Sequence, residues 1–275
     1  MQLSDAFDLH EPEVVACIGA GGKTTTCWRL WSEFHAAGQP AIFTTTTHIL
    51  EPSLPPASAL FLAPDPDAQR LRDVLNESRA LILAASRLAD AIPEVEYNPV
   101  APARACKLAG LHPAQIDQLA QTLPGVTWLI EADGARGRSL KLPAAHEPAV
   151  PSRATCVAIL AHLDALGEPL DARIAQRPEQ LAAYWSLNLG ERITAEHIVR
   201  LLSDPNGGLQ GVPAGARAIA VLNQRAETAL HPQAQSIAGA LLTTGLYERV
   251  VVASLRAERP VLMVAKDRAA LRSMP

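Results

Sequence analysis

The stretch VVACIGAGGKTTT, Val14 to Thr26, decides how the rest of the chain reads. Its opening residues, Val14 to Ile18, are apolar without helical spacing, the mark of a short strand buried on both faces. Gly19, Ala20, Gly21 and Gly22 then allow a tight turn. From Thr24 to Ala37 the aromatic residues Trp28, Trp31 and Phe34 recur at spacings of three, near one face of a helix that Gly38 can end. A second apolar run, Ala41 to Thr44, completes a strand, helix, strand unit.

Each residue type in the turn suits a polyphosphate anion. Glycines bring backbone N–H groups against phosphate oxygens, and the helix start adds partial positive charge. Lys23 would neutralise the β- and γ-phosphates, Thr24 would offer its hydroxyl to Mg²⁺, and Ala20 and Thr25 would complete the cradle. The turn departs from the full phosphate-loop pattern GxxxxGK[ST] at its first glycine, where Cys17 stands, and the form GAGGKTTT resembles the shortened loop of ATP-dependent Mur ligases. The dinucleotide fingerprint GxGxxG fits less well. Thr24 stands where its third glycine belongs, and the second strand runs into Thr44 to Thr47 without the acidic residue that would hold a ribose.

Working outward, further apolar runs read as strands at Ala59 to Leu62, Leu81 to Ala84, Thr127 to Ile130, Thr155 to Leu160, Ala218 to Leu222 and Val250 to Ala253. The fold class expected is therefore α/β, a phosphate-loop NTPase-like, mostly parallel sheet flanked by helices. One domain over residues 1–275 suits the length, and helices at Pro178 to Leu187 and Thr194 to Leu202 interrupt the strand rhythm, which predicts a small helical insertion at about 165–215. Thr194 is placed to cap the second of these, three residues before His197. Pro and Gly clusters at Pro52 to Pro56, Pro64 to Pro66 and Pro205 to Gly215 read as loops.

Bulk properties exclude several classes. With 48% hydrophobic residues the chain can bury a core, and a net charge of -4 with dispersed Lys and Arg gives no footprint for nucleic acid. Cys17, Cys27, Cys106 and Cys156 show neither CxxC pairing nor zinc spacing. Asp5, Asp8, Glu11 and Glu13 precede the first apolar run, unlike a signal peptide, and no apolar stretch reaches the roughly 18 residues of a membrane span. A cytoplasmic protein with no membrane partner is expected.

Other residues complete the expected site. Thr44 to His48 follows the second strand, so hydroxyls such as those of Thr45 and Thr46 should emerge beside the glycine turn to meet phosphate, Mg²⁺ or substrate. Thr127 to Ile130 leads into Glu131 and Asp133, an apolar strand ending in carboxylates. One would hold Mg²⁺ and the other orient an attacking water, and either carboxylate suits either role. Lys23, Glu131 and Asp133 are thus the catalytic candidates, with Thr24, Glu131 and Asp133 as metal ligands. Beyond them Arg136, Arg138 and Lys141 form a short basic cluster suited to phosphoryl charge or simply to solvent, and His146 and Glu147 lie between prolines in a loop suited to a second ligand or partner. Asn223 follows a buried strand, like the asparagine of the base-reading NKxD element of GTPases, but without its lysine and aspartate. ATP and GTP both remain open.

Taken together, GAGGKTTT, TTTTHI (Thr44 to Ile49), EADGARGRSLKLPAAHEP (Glu131 to Pro148) and RPE (Arg177 to Glu179) resemble the YqeC family. That resemblance implies a role in maturation of molybdenum hydroxylases, as a selenium-cofactor or selenium-dependent hydroxylase accessory protein, with a hydroxylase client or cofactor precursor as partner. The residues themselves point to Mg²⁺-dependent triphosphate binding and hydrolysis. A small-molecule kinase or ligase acting on a cofactor precursor, and a nucleotide sensor without turnover, are the alternatives.

Overall fold

A computed structural model describes residues 1–88 and 106–266. Its elements in chain order are α1 (Leu3–Phe7), β1 (Val14–Gly19), α2 (Lys23–Ala36), β2 (Ala41–Thr45), β3 (His48–Leu50), β4 (Ser58–Leu62), α3 (Ala68–Ser78), β5 (Ala80–Ala84), β6 (Ser86–Leu88) and β7 (Lys107–Ala109). There follow α4 (Pro113–Thr122), β8 (Thr127–Glu131), β9 (Leu140–Lys141), β10 (Cys156–His162), β11 (Ala175–Gln176), α5 (Pro178–Trp185), α6 (Ala195–Ser203), β12 (Arg217–Asn223), α7 (Ala234–Thr243), β13 (Arg249–Ala253) and β14 (Val261–Ala265).

Nine strands form one sheet in the order β14-β13-β12-β10-β1-β8-β2-β5-β4. Neighbours run parallel throughout, save β14, which pairs antiparallel with β13. The α/β reading and its mostly parallel sheet hold, and each strand expected from an apolar run is present. Central strands such as β2, β5 and β8 are buried at every position, which is why they read as unbroken apolar runs rather than alternating ones.

Alternate residues of β1 feed two cores. Ala16 and Ile18 join a cluster with Leu71, Ile116, Leu181, Ile198 and Leu241, so α3 to α7 cover that face. Val15 and Cys17 join Leu3, Phe7, Leu30, Trp31 and Phe34, so α1 and α2 cover the other. Between β10 and β12, α5 and α6 are helices as expected, and their buried side chains belong to the first cluster, making them part of the crossover that returns the chain to the sheet.

The strand order also locates the site. After β1 the chain builds β2, β4 and β5 to one side, then β8 pairs with β1 and the next long strand, β10, pairs on the opposite side. Such a reversal opens a crevice at the carboxyl edge of the strands, which in sheets of this kind is where ligands bind. The glycine turn leaves β1 at that edge.

Candidate functional site

The turn between β1 and α2 is made of positive-φ glycines: Gly21 has φ 83° and Gly22 φ 139°. Space demands glycine as well as conformation. A Cβ on Gly21 would lie 2.7 Å from His162 Cβ, and one on Gly22 would lie 2.7 Å from Leu255 Cδ1. The turn is thus wedged between the ends of β10 and β13. Asn223, at the end of β12, braces it: Nδ2 donates to Gly21 O at 2.7 Å while Oδ1 accepts from the Leu255 N–H at 3.1 Å. Both ends of that amide are occupied by backbone, which gives Asn223 the part of a strut for the turn.

Gly22 starts α2 with no capping side chain, so the helix's positive end faces the turn. Lys23, only 4% exposed, folds back so that Nζ donates to Gly19 O at 2.6 Å. Thr24 Oγ1 donates to Glu131 Oε2 at 2.6 Å, bringing the hydroxyl and carboxylate expected around a metal into direct contact. Glu131 is 6% exposed, and burial raises its carboxyl above the usual range; Lys23 and Thr24 pull the other way and Asp133 adds to the rise.

The threonine run meets this centre through Glu131. Thr45 Oγ1 donates to Glu131 O at 2.7 Å, and the Thr46 N–H donates to the same oxygen at 3.1 Å. Thr44 Oγ1 and Thr46 Oγ1 are buried without a hydrogen-bond partner. Ala20 is tied down by its N–H to Leu160 O at 3.0 Å, Thr25 continues the first turn of α2, and His48 is exposed at the start of β3.

Asp133 faces a different way from Glu131. Its Oδ1 is bound by the Lys141 ammonium and its Oδ2 accepts the Gly19 N–H at 3.2 Å. Lys141, fully buried at its side chain, also donates to Gly134 O at 2.6 Å and pairs with Glu147 at 2.9 Å. Glu147 in turn holds Arg177 at 2.8 and 3.2 Å. Pairing of β9 with β11 sets Lys141 opposite Gln176, so Arg177 follows directly. The expected basic cluster therefore divides: Lys141 is internal, Arg136 is exposed and Arg138 half-buried. In the same loop His146 is exposed whereas Glu147 is half-buried.

Partial burial raises the Glu147 carboxyl's pKa, but Arg177, Lys141 and the Ala144 N–H outweigh it and hold the value at about 2. A carboxyl depressed in the fold contributes stability that is present above its unfolded value and lost as pH falls through the folded one. Thermal melts of wild type and Glu147→Gln should differ at pH 7, and the gap should close as pH drops from 4.5 toward about 2. A gap that stays constant to the acid end would show that Glu147 does not carry this charge network.

His162 is a residue the sequence reading does not single out. Its N–H donates to Ser139 O at 3.1 Å and its Nδ1 accepts the Asp164 N–H at 3.2 Å. Burial, opposed by Asp164 and reinforced by Arg225 and Arg256, lowers its pKa. Its Cβ lies against the turn, 2.7 Å from where a Cβ on Gly21 would stand. Only the parallel register, which sets His162 opposite Asn223, brings it there. No motif announces it.

Among the described residues no cluster of three or more His, Cys, Asp or Glu could hold a metal, and no helix is long and apolar enough to cross a membrane. The family model for the YqeC protein matches residues 15–179, from β1 through the start of α5. The chain belongs to the YqeC family. A protein of Escherichia coli (strain K12) described as "Uncharacterized protein YqeC" is 30% identical over 213 residues, covering 78% of this chain and 76% of that protein. No solved structure matches. The YqeC match contains the glycine turn, Thr24, Glu131, Lys141, Glu147 and Arg177, whereas Asn223 and Leu255 lie beyond it.

Proposed function

We propose that this YqeC-family protein binds a nucleoside triphosphate with Mg²⁺ at the Gly19 to Thr24 turn and hydrolyses it. The observation that carries this reading is the Thr24 to Glu131 contact of 2.6 Å beside an uncapped helix start and a buried ammonium. Two hard oxygen donors suit Mg²⁺, which takes its remaining ligands from phosphates and water and usually needs only one or two carboxylates. When bound, the ion supplies charge neutralisation across the phosphates.

The chain's own residues supply the rest. Backbone N–H groups at the start of α2 receive phosphate oxygens, and Lys23 exchanges its carbonyl partner for the β- and γ-phosphates. Thr45 and the Thr46 N–H hold the end of β8 so that Glu131 keeps its orientation. In hydrolysis a water oxygen bonds to the γ-phosphorus while the bond to the bridging oxygen breaks, releasing the diphosphate, inorganic phosphate and a proton. Asp133 is committed to Lys141 and the Gly19 N–H, so in this scheme it shapes the turn. Following the family resemblance, the nucleotide cycle serves maturation of molybdenum- or selenium-dependent hydroxylases.

Calorimetry with ATP and GTP, with and without Mg²⁺, and phosphate-release assays test the reading directly. Wild type should bind a triphosphate in a Mg²⁺-dependent way, and Glu131→Gln should lose most of that dependence while retaining metal-free binding. Absence of binding to either triphosphate at saturating Mg²⁺ would sink the proposal.

A further inference from the structure

The outward stripe of α2 carries a feature that phosphate binding leaves unused. Thr25, Trp28, Arg29, Ser32 and Glu33 recur at helical spacing and, with Leu255 across from them, line a cleft of about 420 Å³. Its volume falls within the roughly 300–1,000 Å³ of small-molecule sites. The cleft begins one residue after Thr24, and it shares a wall with the turn. Leu255 is the side chain that a Cβ on Gly22 would strike, and its N–H is held by the same Asn223 that braces Gly21.

That wall is fixed in place. The Arg29 guanidinium spans from α2 to Leu255 O and Ala257 O, pinning the segment after β13 against the helix. Trp28 is half-buried, tilted on Trp31 with ring centroids 5.0 Å apart, and it presents an aromatic surface to the cleft on a stripe where an α/β protein normally carries charge. Glu33 directs both carboxylate oxygens away to the N–H groups of Leu3 and Ser4, at 2.9 and 2.8 Å.

We infer that this cleft receives the nucleoside of the triphosphate, with the base stacked on Trp28 and the phosphates running back past Thr25 into the glycine turn. The inference rests on the proposed function and names the other half of the same site. Stacking on an aromatic ring tolerates any base, so adenine and guanine nucleotides should bind with similar affinity.

Titrations of intact protein with MgATP and with inorganic tripolyphosphate plus Mg²⁺ separate the two halves. Trp28→Ala should weaken ATP roughly ten-fold or more while leaving tripolyphosphate within about two-fold. Trp28→Phe should restore most of the ATP affinity. Ser32→Trp, which fills the cleft without removing core packing, should weaken ATP alone and serves if Trp28→Ala fails to fold. Equal affinity of wild type for ATP and tripolyphosphate, unchanged ATP binding in both cleft variants, or parallel loss of both ligands would overturn the inference while leaving the phosphate site standing. Failure of wild type to bind either ligand would instead remove the proposed function itself.

Discussion

Replacing Lys141 with Met is expected to destabilise the fold by about 3–5 kcal/mol, more than most substitutions at polar positions. The lysine side chain is fully buried, and Asp133, at 2% side-chain exposure, depends on it for its counter-charge. Methionine fills similar volume but leaves the Asp133 carboxylate with the Gly19 N–H as its remaining hydrogen bond. Glu147 also loses a partner, though Arg177 still holds it. The loss should appear in denaturant midpoints, and adding Asp133→Asn should recover a substantial part of it, because the double variant removes both charges. A Lys141→Met protein as stable as wild type would mean that this pair contributes little.

The second large effect concerns Lys23. Its ammonium is buried and its hydrogen-bond partner is the neutral Gly19 carbonyl, so its positive charge is available to a phosphate. Lys23→Ala should therefore lower affinity for MgATP and MgGTP by about 2–5 kcal/mol, or roughly thirty-fold at the least. Thermal stability without nucleotide should also fall somewhat, since the buried Lys23 ammonium donates to Gly19 O and favours the charged form of Glu131, so affinity is read on protein shown to be folded. Phosphate release should fall with binding. Wild-type affinity retained in Lys23→Ala would place the triphosphate elsewhere, or nowhere on this chain.

Much of the architecture was legible because a parallel sheet covered on both faces writes itself as apolar runs, as at Leu81 to Ala84 and Ala218 to Leu222. The run Val261 to Ala265 has the same form, and the sequence reading names no strand there; it closes the sheet as its antiparallel edge. The helices α3, α4 and α7 are also unnamed in that reading, although α3 carries Asp67 as a capping side chain, accepting the Arg70 N–H at 3.0 Å. Strands of two or three residues, such as β9 and β11, leave no periodicity to read. Yet these two align Lys141 and Arg177 around Glu147.

At the site, local chemistry was readable and long-range pairing was not. Glycines, Lys23 and Thr24 follow one another in the chain, so their common placement needs only a strand and a helix. The carboxylates Glu131 and Asp133 were interchangeable on paper; Glu131 is the last residue of β8 and meets Thr24, whereas Asp133 lies beyond the strand and meets Lys141. Asn223 reads as a base contact by analogy with its position after a strand, whereas the structure gives its amide two backbone partners in the turn and the neighbouring wall. His162 and Leu255 come to the turn only through strand order, which a single sequence does not state.

Among the described residues α2 is the one long helix on its face of the sheet, accompanied by the five-residue α1. Its inner residues Cys27, Leu30, Trp31 and Phe34 seal the core, its first residues meet the glycine turn, and its outer stripe walls the cleft. Little of this segment is therefore neutral ground for drift. On the proposed function, a substitution here alters folding, anion capture or nucleoside contact, and a change that improves one is readily paid for in another. Divergence between relatives should accumulate on the opposite face, where α3 to α7 share the labour of covering the sheet.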